Sequence, residues 1–147
     1  MFINTIFTKK EFIYSFLFVI IFLGDDYMDI FCKIINNEIP SYKIYEDDVV
    51  LAFLDINPNV NGHTLIIPKK HYKDLYDIDD ETFTHIINVA KKIGPLLQEK
   101  LHADGITLVQ NNGLYQEVKH FHLHIRPQYK NKKELKPLEE IHKIITE

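Results

Sequence analysis

Cysteine is all but missing from this chain, with Cys32 standing alone among 147 residues. One thiol excludes an intrachain disulfide framework and suits a reducing compartment. No block of like charge occurs, and the formal net charge is −4. That balance argues against a nucleic-acid scaffold and leaves room for a small anion held in a local pocket. Internal repeats and low-complexity stretches are also missing, as is any apolar run of the roughly 20 residues a bilayer-spanning helix needs. The nearest approach is a 13-residue stretch from Phe12 to Gly24, after Lys9 and Lys10 and before Asp25-Asp26-Tyr27-Met28. It has the basic and apolar regions of a signal peptide but no small-residue cleavage site. Residues 1–27 therefore read as an apolar extension: an over-extended start ahead of Met28, a membrane tether, or a signal.

What is present from Met28 onward is one domain with an ordinary globular composition. The apolar spacing of Phe31, Ile34 and Ile35 predicts a short helix ending at Asn36-Asn37. Lys43–Tyr45 and Val49–Asp55 read as strands around a turn at Glu46-Asp47-Asp48. The loop Asn57–Gly62 opens into an apolar strand over His63–Pro68, expected near the centre of a sheet. Asp79 suits a helix N-cap. Beyond it Phe83, Ile86, Ile87, Ala90, Ile93, Leu97 and Leu101 trace one stripe. Gly94-Pro95 falls inside that stripe and predicts a kink or break. Ile106–Gln110 and His120–Pro127 read as strands, and Pro137–Ile145 as a short tail helix. The fold class is α+β: an antiparallel sheet of about five strands with one long helix and a shorter N-terminal one.

The chemistry concentrates in His120-Phe121-His122-Leu123-His124-Ile125. A strand here would bury Phe121, Leu123 and Ile125 and align the three histidines on the other face, about 7 Å apart. Imidazole, with an ordinary pKa of about 6.5, serves as base, nucleophile or ligand near neutrality. One reading is nucleophilic attack on phosphorus through a phosphoramidate intermediate. A second is a zinc site, His-x-His supplemented by Cys32 or His71. A third is a set of satisfied histidines with no function.

This run resembles the signature of the histidine triad family, three histidines alternating with apolar residues and closing on two apolar positions. Arg126 stands at the last of these. The resemblance extends over 28–147 through Asp29–Ile35, Glu38–Ser41, Ala52–Pro58 and Gly62–His71, and is strongest to the nucleotide-binding branch. It implies a hydrolase that cleaves nucleoside phosphoramidates, such as adenylylated amines, through a nucleotidyl-histidine intermediate. Dinucleoside polyphosphate hydrolysis and a nucleotide-binding regulator with little turnover are the alternatives. His122 would be the nucleophile, His124 a donor to the α-phosphate, His120 a support, and His63 a buried fourth histidine. Asp55 would hold the ribose hydroxyls, and Phe31, Ile34, Leu54 and Ile56 would wall the base pocket. Asn111 and Gln116 would reach the phosphate and leaving-group side.

The same resemblance implies a homodimer, a purine nucleotide substrate and no required cofactor, and the charge balance implies no nucleic-acid partner. Membrane contact would arise only through residues 1–27, so a chain starting at Met28 would be cytoplasmic. Zinc-binding relatives use two cysteines and two histidines. Here Asp29 stands at the first cysteine position, leaving Asp29, Cys32, His71 and His120 as the ligand set, with one thiolate fewer. Two further departures lie in the turn before the triad, where Tyr115 replaces a common glycine and Glu117 a small hydroxyl residue.

Overall fold

The computed structural model describes residues 29–147, so the expectations for 1–27 lie outside the described residues. Two units divide the chain, the first ending at Pro40 and the second running from Ser41 to Glu147. In the first, helix α1 spans Ile30–Ile35. Asp29 caps it, its carboxylate accepting from the Cys32 amide at 2.9 Å. Phe31 and Ile34 are its buried residues, and Asn36 and the left-handed Asn37 (φ 60°) end it.

The second unit is a five-stranded antiparallel sheet with two helices. Its strands are β1 (Lys43–Glu46), β2 (Val50–Leu54), β3 (Thr64–Pro68), β4 (Gly105–Gln110) and β5 (Leu123–Gln128), arranged β1-β2-β3-β5-β4. The expected central strand is indeed central, because β3 is hydrogen-bonded on both sides. Helix α2 runs from Asp80 to Leu101 and α3 from Leu138 to Thr146. Among the described residues no helix is long and apolar enough to cross a membrane.

Side-chain alternation sorts the sheet into two faces. Val50, Ala52, Leu54, Ile66, Phe121, Leu123 and Ile125 join Ile86, Val89, Ala90, Ile93, Leu97 and Leu101 of α2 and Ile141 and Ile145 of α3 in one core. Truncating a fully buried member such as Leu97 to alanine would cost about 2–5 kcal/mol. The Asp79 cap forms as the sequence suggests, accepting from the Thr82 amide at 2.8 Å. The expected break at Gly94-Pro95 does not occur, since α2 is continuous through both residues. Proline removes the hydrogen bond to the carbonyl four residues back. Here that residue is Lys91, which is exposed, so water can satisfy the orphaned oxygen. Buried Ile93 and Leu97 hold the helix in place on either side.

Candidate active site

Two loop ends and one strand bring the site together. Asp55 follows β2 and His63 precedes β3, and the Asp55 amide donates to the His63 carbonyl at 2.9 Å, extending the strand pairing by one step. In β5, His124 lies opposite Leu65 of β3 and Val109 of β4. The face opposite α2 and α3 therefore carries His124, while Leu123 and Ile125 enter the core.

The strand expected from His120 begins only at Leu123. His120, Phe121 and His122 leave the ladder because their bonds go elsewhere. The Phe121 amide donates to the Tyr72 carbonyl at 2.6 Å, and His120 Nε2 donates to the Pro68 carbonyl at 2.8 Å. Nearby, the Leu75 amide donates to Asn112 Oδ1 at 2.9 Å, and Gln116 Nε2 donates to the Lys73 carbonyl. These ties pin the turn before the triad to residues 72–75. They are backbone partnerships with no sequence signal.

The hydrogen bonds also fix protons. A carbonyl only accepts, so His122 Nδ1, 2.7 Å from the His120 carbonyl, carries its proton. A neutral His122 ring then has its lone pair on Nε2. Burial pushes its pKa below the ordinary imidazole value, with the nearby His120 charge acting the same way. His124 stacks against it edge to face, ring centres 4.9 Å apart. On its other side His124 Nδ1 meets His63 Nε2 at 2.8 Å. Burial first, and the Arg126 charge after it, lowers His63 to about 4. His124 is also lowered to about 4, by burial and then by the charges of its neighbours His122, His63 and Arg126.

Two observations favour the shared proton on His63, against the Arg126 Nε–H that approaches the same nitrogen at 3.5 Å. The Asp55 carboxylate lies 3.5 Å from His63 Nε2, favouring a proton there. His63 Nδ1 is buried with no hydrogen-bond partner among the described residues, and an unpaired lone pair is the more readily tolerated state. With His63 donating, His124 keeps its own proton on Nε2, free to donate outward.

The other expected site residues divide. Asp55 is only partly buried, and its Oδ1 accepts from the Asn57 amide at 2.9 Å, so it shapes a turn while Oδ2 faces His63. Ile56 beside it is partly buried. Leu54 does not wall a pocket on this face, because strand alternation turns it into the core beneath α2. Asn111 is partly buried, and its side-chain amide makes no hydrogen bond with the described residues. Gln116 is a buried strut, its amide nitrogen spent on Lys73. Phe31 and Ile34 belong to the N-terminal unit.

Of the residues raised as zinc ligands, His71 and His120 stack edge to face with centres 5.0 Å apart. Each donates from Nε2 to a carbonyl, His71 to Lys119 and His120 to Pro68. The imidazoles suit zinc, and a bound zinc would itself deprotonate a cysteine ligand. Cys32 Sγ lies 3.6 Å from Asp29 Oδ2, and burial followed by the Asp29 charge pushes the thiol up to about 11.

An α+β fold that lines one sheet face with the contacting rings of His63, His124 and His122, beside His120, defines a histidine triad protein. Residues 36–131 match the HIT domain family, and the chain belongs to it. Members are typically nucleotide hydrolases or transferases. The chain is 52% identical over 104 residues to an uncharacterized HIT-like protein of Methanocaldococcus jannaschii, covering 69% of this chain and 80% of that one. It is 47% identical over 100 residues to the adenosine 5′-monophosphoramidase of Saccharomyces cerevisiae, covering 67% of this chain and 61% of the yeast protein. Among solved structures, a zinc-bound histidine triad family protein from Mycobacterium smegmatis superposes with a TM-score of 0.75 at 37% identity, covering 80% of this chain and 89% of that one.

Proposed function

We propose that this chain hydrolyses nucleoside 5′-phosphoramidates through a nucleotidyl-His122 intermediate. The supporting observation is the hydrogen bond from His122 Nδ1 to the His120 carbonyl at 2.7 Å, which leaves Nε2 as a fixed, buried lone pair. In this reading Nε2 attacks the α-phosphorus and the P–N bond breaks. The leaving nitrogen departs with the bonding electrons and takes up a proton. The His120 carbonyl stabilises the imidazolium formed on His122, and His124 Nε2–H donates to a phosphoryl oxygen where charge develops. Water then attacks phosphorus, the bond to Nε2 breaks, and a nucleoside monophosphate leaves as the water loses a proton. Asp55 would accept from the ribose hydroxyls, and Asn111 offers an unspent amide to the phosphate side.

No metal enters this scheme, because the nucleophile is a neutral imidazole lone pair. The similarity to the yeast monophosphoramidase supports the leaving-group class. The reading includes a homodimer, for which the outer edge of β4, with Leu108 half exposed, is the pairing surface.

The test is intact-protein mass spectrometry of wild type and His122→Gly after brief mixing with an adenosine 5′-phosphoramidate. A single adenylyl adduct, present in wild type and missing in the variant, is the expected result. Unchanged turnover in His122→Gly would overturn the assignment of the nucleophile. Nucleotide binding without turnover in wild type would make the chain a binding module.

A further inference from the structure

Arg126 occupies the position where the triad pattern closes on an apolar residue, and its surroundings give that departure a use. It lies two residues beyond His124 in β5, opposite Thr107 of β4, and so on the histidine face of the sheet. Its Nε sits 3.5 Å from His63 Nε2, the same nitrogen that the Asp55 carboxylate approaches from 3.5 Å. The residue is partly buried. Beyond the contact to His63, its side chain makes no hydrogen bond or ion pair with the described residues. The planar guanidinium fork matches the geometry of a phosphate.

The position along the histidine row decides which part of a nucleotide it would meet. Arg126 Nε and the Asp55 carboxylate both lie 3.5 Å from His63 Nε2, and Arg126 lies beyond His124 in β5, so it stands at the Asp55 end of the row. On the reading given above, Asp55 holds the ribose. A phosphate attached to that ribose would be repelled by the Asp55 carboxylate, and Arg126 is the cation placed to offset it. In dinucleotide sites a carboxylate holds a free ribose 2′-hydroxyl, whereas a nearby arginine accommodates a 2′-phosphate.

We propose that Arg126 receives a phosphate on the substrate's ribose, at the 2′ or 3′ position, and that the chain prefers ribose-phosphorylated nucleotides. This rests on the nucleotide site described above, and binding is its first test. Calorimetric titration of the full chain with adenosine 5′-monophosphate, adenosine 2′,5′-bisphosphate and adenosine 3′,5′-bisphosphate gives three affinities. One bisphosphate should bind about tenfold tighter or more than the monophosphate, as a charge-assisted contact predicts, and the other identifies the unused position. Arg126→Ile should abolish the preference while leaving monophosphate affinity within about twofold, and Arg126→Lys should keep part of it.

Equal affinity for all three ligands in wild type would overturn the proposal. So would an equal loss for all three in Arg126→Ile, which would leave Arg126 a partner of His63 only. A selective loss in Arg126→Ile of kcat/KM for phosphoramidates of amino acids, with no bisphosphate preference, would place the anion on the leaving group and overturn the ribose assignment. A chain that prefers a bisphosphate but cleaves no phosphoramidate would keep this inference and remove the hydrolase reading.

Discussion

His63 Nε2 and His124 Nδ1 stand 2.8 Å apart with both rings buried, so one proton serves the two. Placed on His63 by the Asp55 carboxylate, that proton leaves His124 able to donate from Nε2. The outer ring thus sets the tautomer of the inner one. His63→Phe should lower kcat on an adenosine phosphoramidate by about 10²-fold while nucleotide affinity falls far less. A variant with wild-type kcat would show that His124 does not depend on His63.

The same burial has a pH signature. His63 and His124 are lowered to about 4, against about 6.5 in the unfolded chain. Between those values the unfolded state takes up protons that the native rings refuse. Stability therefore declines as pH falls from about 6.5 toward 4, and this contribution is level above that window. Thermal unfolding should show Tm dropping across the window, with a shallower slope in His63→Phe. Turnover should persist on the acid side of pH 6, because the rings stay neutral there. A Tm independent of pH between 4.5 and 7 would contradict the assigned charge states.

Asp55 accepts from the Asn57 amide through Oδ1 and faces His63 through Oδ2. Asn can keep the first contact and lose the charge of the second. Asp55→Asn should leave the melting temperature within a few degrees and weaken nucleotide binding by about tenfold to a hundredfold. If the variant binds nucleotide as wild type does, Asp55 is a turn residue and nothing more.

Gly62 has φ +83°, and a Cβ there would lie 2.2 Å from Leu101 Cδ1 and 3.2 Å from Pro127 Cγ. The loop before His63 therefore needs glycine twice over, for conformation and for space. Gly62→Ala should destabilise the fold by about 1–3 kcal/mol, measured by urea unfolding. Wild-type stability would mean that Leu101 moves aside and the turn tolerates the side chain.

Much of this arrangement is legible in the sequence because alternation alone sorts Phe121, Leu123 and Ile125 into the core, away from the histidines. The pattern holds although the strand starts at Leu123, because Phe121 joins Leu123 and Ile125 in the core. What the sequence conceals are partners supplied by backbone. Nothing in Tyr72 or Lys73 announces that their carbonyls hold the Phe121 amide and the Gln116 side chain. Leu54 looks like a neighbour of Asp55, yet one step along a strand reverses its face. Pro95 signals a break, and only the exposure of Lys91 makes it harmless. Arg126 is visible as a departure from the triad pattern. Its nearness to His63 depends on a pairing between β3 and β5 made across some sixty positions.

The Phe121 amide bond to Tyr72 constrains how this site can change over evolutionary time. Core and chemistry are written on alternate residues of one segment whose two ends are both tied, at Tyr72 and in the β5 ladder. A one-residue insertion or deletion between those ties would drive imidazoles into the hydrocarbon interior and turn Phe121 outward. Substitutions at single positions leave that phase intact. Single substitutions, at Arg126 or Glu117 for instance, can therefore accumulate while the length of the triad segment stays frozen.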